Sequence, residues 1–180
     1  MTASDSRPLN ALPGAAESGA EFVPQSDTVA EGHHLVVLSP GVAVDAPPVE
    51  HARLLGIPVI GELELASHFL AGPVIAITGS NGKTTTTSLV HHILRTCGIA
   101  SQAGGNIGTA PSAIVEASRA DQWNVLEVSS FQLETIHRFR ARIAVCLNVT
   151  PDHLDRHRTM EVYAAAKGRL FATQSEDGFA

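Results

Sequence analysis

Gly79, Ser80, Asn81, Gly82, Lys83, Thr84 and Thr85 form the stretch whose residue types and spacing best suit chemistry, and that chemistry is phosphate binding. Small or absent side chains at 79 and 82 let backbone N–H groups face an anion at close range. Lys83 adds a point charge for terminal phosphate oxygens, and the Thr84 hydroxyl offers a hard oxygen to Mg²⁺. Ile75-Ala76-Ile77-Thr78 before the loop reads as a buried strand, and the residues after it as a helix that points its partly positive end at the same anion. The spacing is Gly-x-x-Gly-Lys-Thr, so Ile77 stands where the commoner Gly-x4-Gly-Lys-[Ser/Thr] loop carries its first glycine. A plain glycine turn between a core strand and a core helix is the bland alternative, and it leaves the Lys-Thr ending unexplained.

Glu127 comes next. It lies in Val125-Leu126-Glu127-Val128, where a carboxylate is costly to bury unless it meets a cation, and the Mg²⁺ implied by Thr84 is the obvious candidate. An exposed Glu at a strand end is the alternative. Asp152, His153, Asp155 and His157 crowd into six residues, which reads as an oxygen-rich loop meeting metal and phosphate, with a solvated turn as the alternative. His153 and His157 have the i, i+4 spacing of a helical chelate, but Leu154 occupies the place where a zinc peptidase needs Glu. Gly104-Gly105-Asn106-Ile107-Gly108 lets backbone approach a ligand while the Asn106 carboxamide donates and accepts, although a structural tight turn fits the composition equally well. Lys167, on residue type alone, is a solvated side chain on a helix.

The elements that position these groups are legible as an α/β chain. Residues 1–33 show little periodicity and read as loop. Leu35 to Leu38 is the first clear strand, ending in the polar turn Ser39-Pro40-Gly41 at the edge where parallel sheets bind ligands. A helix is expected over 48–55, with Val49, Ala52 and Leu54 or Leu55 inward and Gly56 just past its end. Ile57 to Ile60 reads as a strand and Glu62 to Leu70 as a helix, with a domain boundary at Ala71-Gly72-Pro73. After the phosphate loop, Leu89, Ile93, Leu94 and Cys97 mark a helical face stopped by Gly98. Strands are expected over 99–103, 125–128 and 142–149, and a helix over 111–117 with Ile114 and Val115 inward. Thr159 should cap a last helix through Leu170, and 174–178 should be a turn.

Totals narrow the function classes. A chain of 180 residues with 44% hydrophobic content has enough apolar material for a core. Net charge is −6 and no basic stripe interleaves with aromatics, which excludes a nucleic-acid partner from the expectation; Arg138, Arg140 and Arg142 read as solvated surface. Cys97 and Cys146 stand far apart without metal-ligand spacing, as expected of reduced cytoplasmic thiols. No apolar run approaches a membrane span and the N-terminus lacks a signal pattern, so a cytoplasmic protein without membrane attachment, acting as a monomer, is expected.

Five stretches in order, namely Gly79 to Thr85, Gly104 to Gly108, Leu126 to Glu134, Asn148 to His157 and Tyr163 to Lys167, closely resemble the Mur ligases, and specifically those that add D-glutamate to UDP-N-acetylmuramoyl-L-alanine in peptidoglycan synthesis. The short phosphate loop is that family's form. The resemblance implies a partial Rossmann-like unit over 1–70 for the UDP end of the substrate, followed over 71–180 by an incomplete parallel-sheet P-loop domain for ATP. It implies ATP and Mg²⁺ as cofactors, and an acyl phosphate attacked by the amine of D-glutamate. By the same resemblance Gly79 to Thr85 bind the nucleotide, with Lys83 also catalytic. Thr84 and Glu127 hold one Mg²⁺, while His153 and a carbamylated Lys167 serve catalysis at a second. Asn106, Ser129, Gln132 and Gly41 face the sugar nucleotide, and Asp5 and Arg7 contact uridine. The family's first strands would precede Met1, leaving Asp5 without a strand beneath it, and its last domain would follow Ala180, so an incomplete catalytic cycle is expected. A folylpolyglutamate-synthase-like ligase and a non-catalytic ATP-binding remnant are the alternatives, the former disfavoured by the stretches at 129–134 and 152–157.

Overall fold

The computed structural model describes residues 1–12, 14–175 and 177–180, and the chain forms two compact units. One comprises Met1–Val36 and Val44–Val59, the other Val37–Ala43 and Ile60–Ala180. Residues 37–43 and 60–70, grouped on sequence with the first domain, therefore cluster with the second unit.

In the first unit Thr2–Asp5 (β1) pairs in parallel with Glu21–Pro24 (β2), with Asp5 opposite Pro24. This corrects the loop expected over 1–33, and Asp5, expected to lack a strand beneath it, is the last residue of β1. Four-residue strands bounded by glycine, serine and proline are too short to leave a readable alternation. Pro47–Leu54 (α1) begins with proline in its first turn and ends before Gly56, whose φ is +71°. Val49 and Ala52 are buried, but Leu54 and Leu55 are 85% and 50% exposed, against the expected inward stripe. Val36–Leu38 (β3) and Val59–Gly61 (β4) pair in a short sheet, and the division between the units falls within both strands.

The second unit is built on Val74–Thr78 (β5), all five residues of which are buried. Such an unbroken buried run, β-branched at all but Ala76, is what a strand covered on both faces requires. Ser101–Gly105 (β6), Trp123–Glu127 (β7) and Ile143–Cys146 (β8) complete a parallel sheet in the order β6-β7-β5-β8. Alternation along β5 separates two cores. Val74 and Ala76 join Leu126 and Ala144 in one, with Leu63 of Glu62–Ser67 (α2), Leu133 of Ser130–Leu133 (α4) and Leu170 of Met160–Ala172 (α6). Ile75 and Ile77 join Val125 in the other, against Val90 and Leu94 of Lys83–Thr96 (α3). Helices on both faces of a parallel sheet give the expected α/β layering.

The inward face of α3 differs from the expectation. Leu89 and Ile93 are 53% and 50% exposed and Cys97 is exposed, while Thr87, Val90 and Leu94 turn to the sheet. The helix phase is set at its first turn, where Thr84 must face β7. At about 100° per residue, positions 89 and 93 then lie about 140° and 180° away from it. The helix expected over 111–117 is a 3₁₀ turn, Pro111–Ile114, and the long strand over 142–149 is only the four residues of β8. Of the turn expected over 174–178, Glu176 lies outside the described residues; beyond it, Phe179 pairs with β8, Ala144 N–H donating to its carbonyl.

α2 carries a buried charge that positions the chain between α4 and β8. The Glu64 carboxylate, 2% exposed, accepts N–H bonds from His137 and Arg138 at 2.8 Å and Phe139 at 3.0 Å, with His68 Nε2 3.5 Å away. Burial alone would raise its pKa; the three amides and His68 outweigh it and hold the group below its ordinary value. A folded pKa below the unfolded one gives stability that is present above the ordinary carboxylate value and lost as pH falls through the folded one. Glu64→Gln removes the charge and turns an amide donor toward other donors, and it is expected to cost about 2–3 kcal/mol in urea unfolding at pH 7. The difference from wild type should shrink once pH falls below 4.5.

Candidate functional site

Because the four strands of the second unit's main sheet run in parallel, the loops after Thr78, Gly105, Glu127 and Cys146 leave from one edge. The loop after Thr78 holds Gly79 at φ +151° and Gly82 at φ +85°, and a Cβ on Gly79 would press on Leu147. Gly82 caps α3 without a side chain, so the first-turn N–H groups of a 14-residue helix carry no side-chain acceptor.

Both predicted lysines converge on this loop. Lys83 Nζ donates to the carbonyls of Gly79 and Ser80 at 2.9 Å each, and Lys167 Nζ donates to the same Gly79 carbonyl at 2.9 Å and to Thr78 Oγ1 at 3.4 Å. Lys167 is 2% exposed, which overturns the solvated reading of its residue type. Burial pushes its pKa down, opposed by Cys146 and Asp152. Its ammonium sits 4.6 Å from the Tyr163 ring centroid. Ser80 Oγ donates to Thr150 O and accepts from Thr150 N, each at 2.9 Å, which leaves the Tyr163 hydroxyl, 3.0 Å away, as the donor to it. Asn148 accepts from Asn81 N–H through Oδ1 and donates to Asn81 O through Nδ2.

Glu127 ends β7 in register with Ile77 and Gly105, and is 3% exposed. Thr84 Oγ1 donates to its Oε2 at 2.7 Å and Asn106 Nδ2 to its Oε1 at 3.2 Å. This excludes the exposed strand-end Glu. Gly105 is obligatory beside it, since a Cβ there would lie 2.1 Å from Glu127 O, and its φ is +110°. A hydroxyl and a carboxylate oxygen in contact form a hard-oxygen pair that suits Mg²⁺. Thr85 lies exposed one residue on.

His153 initiates Leu154–His157 (α5) with φ +51° and its ring packs 4.8 Å from Phe131 and 6.4 Å from Tyr163, while Asp152 Oδ2 is 3.6 Å from its Nε2. Tyr163 thus stands against both His153 and Lys167. His157 is 2% exposed, with Nε2 2.9 Å from Ser130 Oγ and Nδ1 3.3 Å from Glu134 Oε1; burial foremost lowers its pKa, against the pull of Glu134, and the ring packs in the structure. Asp155 is exposed, and among the described residues no group of three or more His, Cys, Asp or Glu side chains could hold a metal ion. Ser129 and Gln132 form a capping box on α4, the buried Gln132 accepting from Ser129 N–H and Oγ–H through its carboxamide oxygen.

Gly41 is exposed in a turn closed by Val42 N–H to Ser39 O at 3.0 Å. In the first unit, Arg7 grips Asp5 through Nε and Nη2 at 3.0 Å each, and this hydrogen bonding lowers the Asp5 pKa to about 2. Both line a cleft of about 780 Å³ with Phe22, Gln25 and Asp27. Sequence reasoning missed Tyr163, Asn148, Glu134 and Arg156 as organisers of the loops; for Asn148 and Arg156 the crowding of polar residues over 148–157 was the available signal.

A family model described as the Mur ligase middle domain matches residues 77–180. The chain is 59% identical over 180 residues to the UDP-N-acetylmuramoylalanine–D-glutamate ligase of Solibacter usitatus, covering 100% of this chain and 41% of that relative. It is 58% identical over 162 residues to the protein of the same name in Koribacter versatilis, covering 85% and 36%. The chain thus spans about two fifths of the length of the curated relatives it matches. Among solved structures, the UDP-N-acetylmuramate-alanine ligase of Thermotoga maritima aligns with TM-score 0.56 at 22% identity, covering 96% of this chain and 41% of that one. The UDP-N-acetylmuramate:L-alanyl-gamma-D-glutamyl-meso-diaminopimelate ligase of Neisseria meningitides aligns with TM-score 0.59 at 18% identity, covering 98% and 61%. At these identities the likeness is one of fold.

Ser80→Ala tests the loop's internal bracing. It leaves the Thr150 N–H without its acceptor and is expected to lower stability by about 1–3 kcal/mol in chemical denaturation, with Tyr163→Phe costing less because only its hydroxyl contact is lost.

Proposed function

The chain belongs to the Mur ligase family, and from that premise we propose that it carries the nucleotide-binding part of an ATP-dependent ligase that adds D-glutamate to UDP-N-acetylmuramoyl-L-alanine. The observation that carries the reading is the 2.7 Å contact of Thr84 Oγ1 with the buried Glu127 carboxylate, at the start of a helix whose first N–H groups have no side-chain cap. Domain limits of 1–70 and 71–180 go with this reading, the first for the UDP end of the sugar nucleotide and the second for ATP.

Each residue then has a task set by its own chemistry. The Gly82 amide and the α3 N-terminus bind phosphate oxygens while Asn148 holds the Ser80 and Asn81 amides, and Lys83 turns from the Gly79 and Ser80 carbonyls to the terminal phosphate. Thr84 and Glu127 hold Mg²⁺, which when bound neutralises charge on the transferring phosphoryl group. Lys167 and His153 flank Tyr163 and serve a second such site. Burial favours the neutral Lys167 amine, the form that adds CO₂ to give a carbamate with loss of one proton. Asn106 orients the Glu127 carboxylate and faces the sugar nucleotide with Ser129, which Gln132 holds in place. Asp5, Arg7 and Gly41 are the contacts proposed for the nucleotide and its attached sugar. A cytoplasmic monomer fits these soluble substrates, and no helix among the described residues is long and apolar enough to cross a membrane.

Calorimetric titration of this chain with a non-hydrolysable ATP analogue, with and without Mg²⁺, tests the reading. Wild type should bind with a Mg²⁺-dependent affinity that Glu127→Gln lowers by about tenfold or more, whereas Lys83→Ala should weaken binding with or without the metal. Equal affinity for the Glu127→Gln variant and wild type in Mg²⁺ would contradict it, and no binding by wild type would favour a remnant without nucleotide function.

A further inference from the structure

Arg156 has no task in the reading above, yet its guanidinium joins three segments of the second unit. Nη1 donates to Pro40 O at 3.3 Å, and Nη2 donates to Val42 O at 3.2 Å and to Glu134 Oε2 at 2.6 Å. Its Cζ lies over the Phe131 ring, 4.3 Å from the centroid, and both the Arg156 and Glu134 side chains are 16% exposed. The two carbonyls belong to the Ser39–Val42 turn, whose own Val42 N–H to Ser39 O bond closes it around the exposed Gly41. Glu134 and Phe131 belong to the helical turn that Ser129 and Gln132 cap, and Arg156 itself follows His153 by three residues.

We propose that Arg156 is a positioning residue that fixes the Ser39–Val42 turn against the Ser129–Glu134 turn, and so sets the sugar-nucleotide side of the site while leaving the nucleotide loop independent. The proposal rests on the reading of Gly41 and Ser129 as sugar-nucleotide contacts. A planar fork is what the geometry needs, because its N–H groups reach two carbonyls and a carboxylate while its Cζ lies over the Phe131 ring. A lysine at 156 can keep the Glu134 charge pair but cannot hold both carbonyls or the contact over the Phe131 ring. Removal of the fork leaves the Pro40 and Val42 carbonyls without their donor, and the turn then samples other positions. The Thr84–Glu127 pair and the Lys83 contacts involve none of these atoms, so the ATP side serves as an internal control.

The test has a ligand-free arm and a ligand arm, both on the 180-residue chain. In hydrogen exchange, Arg156→Lys and Arg156→Ala should each speed exchange of the Val42 amide by about tenfold or more, with Ala76 and Ile77 in β5 unchanged. In titration, the same variants should lose about tenfold in affinity for UDP-N-acetylmuramoyl-L-alanine while binding Mg²⁺ and an ATP analogue within about twofold of wild type. Unchanged exchange at Val42 overturns the clamp whatever the ligands do. Parallel losses for both ligands, with faster exchange in β5, show a merely structural role and also overturn it. If wild type itself fails to bind the sugar nucleotide, the underlying assignment of Gly41 and Ser129 falls before any variant is compared, and the proposed link to substrate falls with it.

Discussion

The second unit depends on one buried carboxylate being satisfied. A charge moved out of water costs several kcal/mol unless donors replace its hydration, and Glu127 lies at the end of a strand whose neighbours are apolar. Thr84 and Asn106 supply the donors, from the start of α3 and from the loop after β6. That requirement fixes how three elements meet. It sets the rotational phase of α3 and holds the Gly79–Thr85 loop beside a carboxylate, while close approach of β6 to the Glu127 backbone separately demands glycine at 105.

A second layer of contacts restrains the loops around that pair. Ser80 is locked between Thr150 and Tyr163, Asn81 is matched to Asn148, and Glu64 gathers three consecutive amides ahead of β8. Arg156 plays the equivalent part for the Ser39–Val42 turn. Each is a polar group satisfied by partners far away in sequence, so the loops are held by tertiary contacts while the regular elements hold themselves.

This division explains what was legible in the sequence. The strand, glycine loop and helix over 74–96, the Thr159 cap of α6 and the stop at Gly98 follow local rules of spacing and turn chemistry, and the structure contains them. Glu127 was also readable, because an acid in an apolar strand is a conflict that only a partner resolves. The inward face of α3 was not, since Leu89 and Ile93 make the stronger apolar stripe while the Thr84 contact turns them outward. Lys167 was misread on residue type because nothing near it in sequence says that α6 presses it against Gly79 O. The β1–β2 pair escaped notice because each strand has four residues and no repeated alternation.

The central claim is that a polyphosphate and its metal ion are held between the Lys83 loop and Glu127. A crystal structure of this chain grown with Mg²⁺ and a non-hydrolysable ATP analogue tests it most directly. The account predicts a metal ion in contact with Thr84 Oγ1 and facing the Glu127 carboxylate, with Lys83 Nζ moved from the Gly79 and Ser80 carbonyls to a terminal phosphate oxygen. A nucleotide bound with its phosphates away from that loop, or a metal ion seated out of reach of Glu127 while Lys83 keeps both carbonyls, would contradict it.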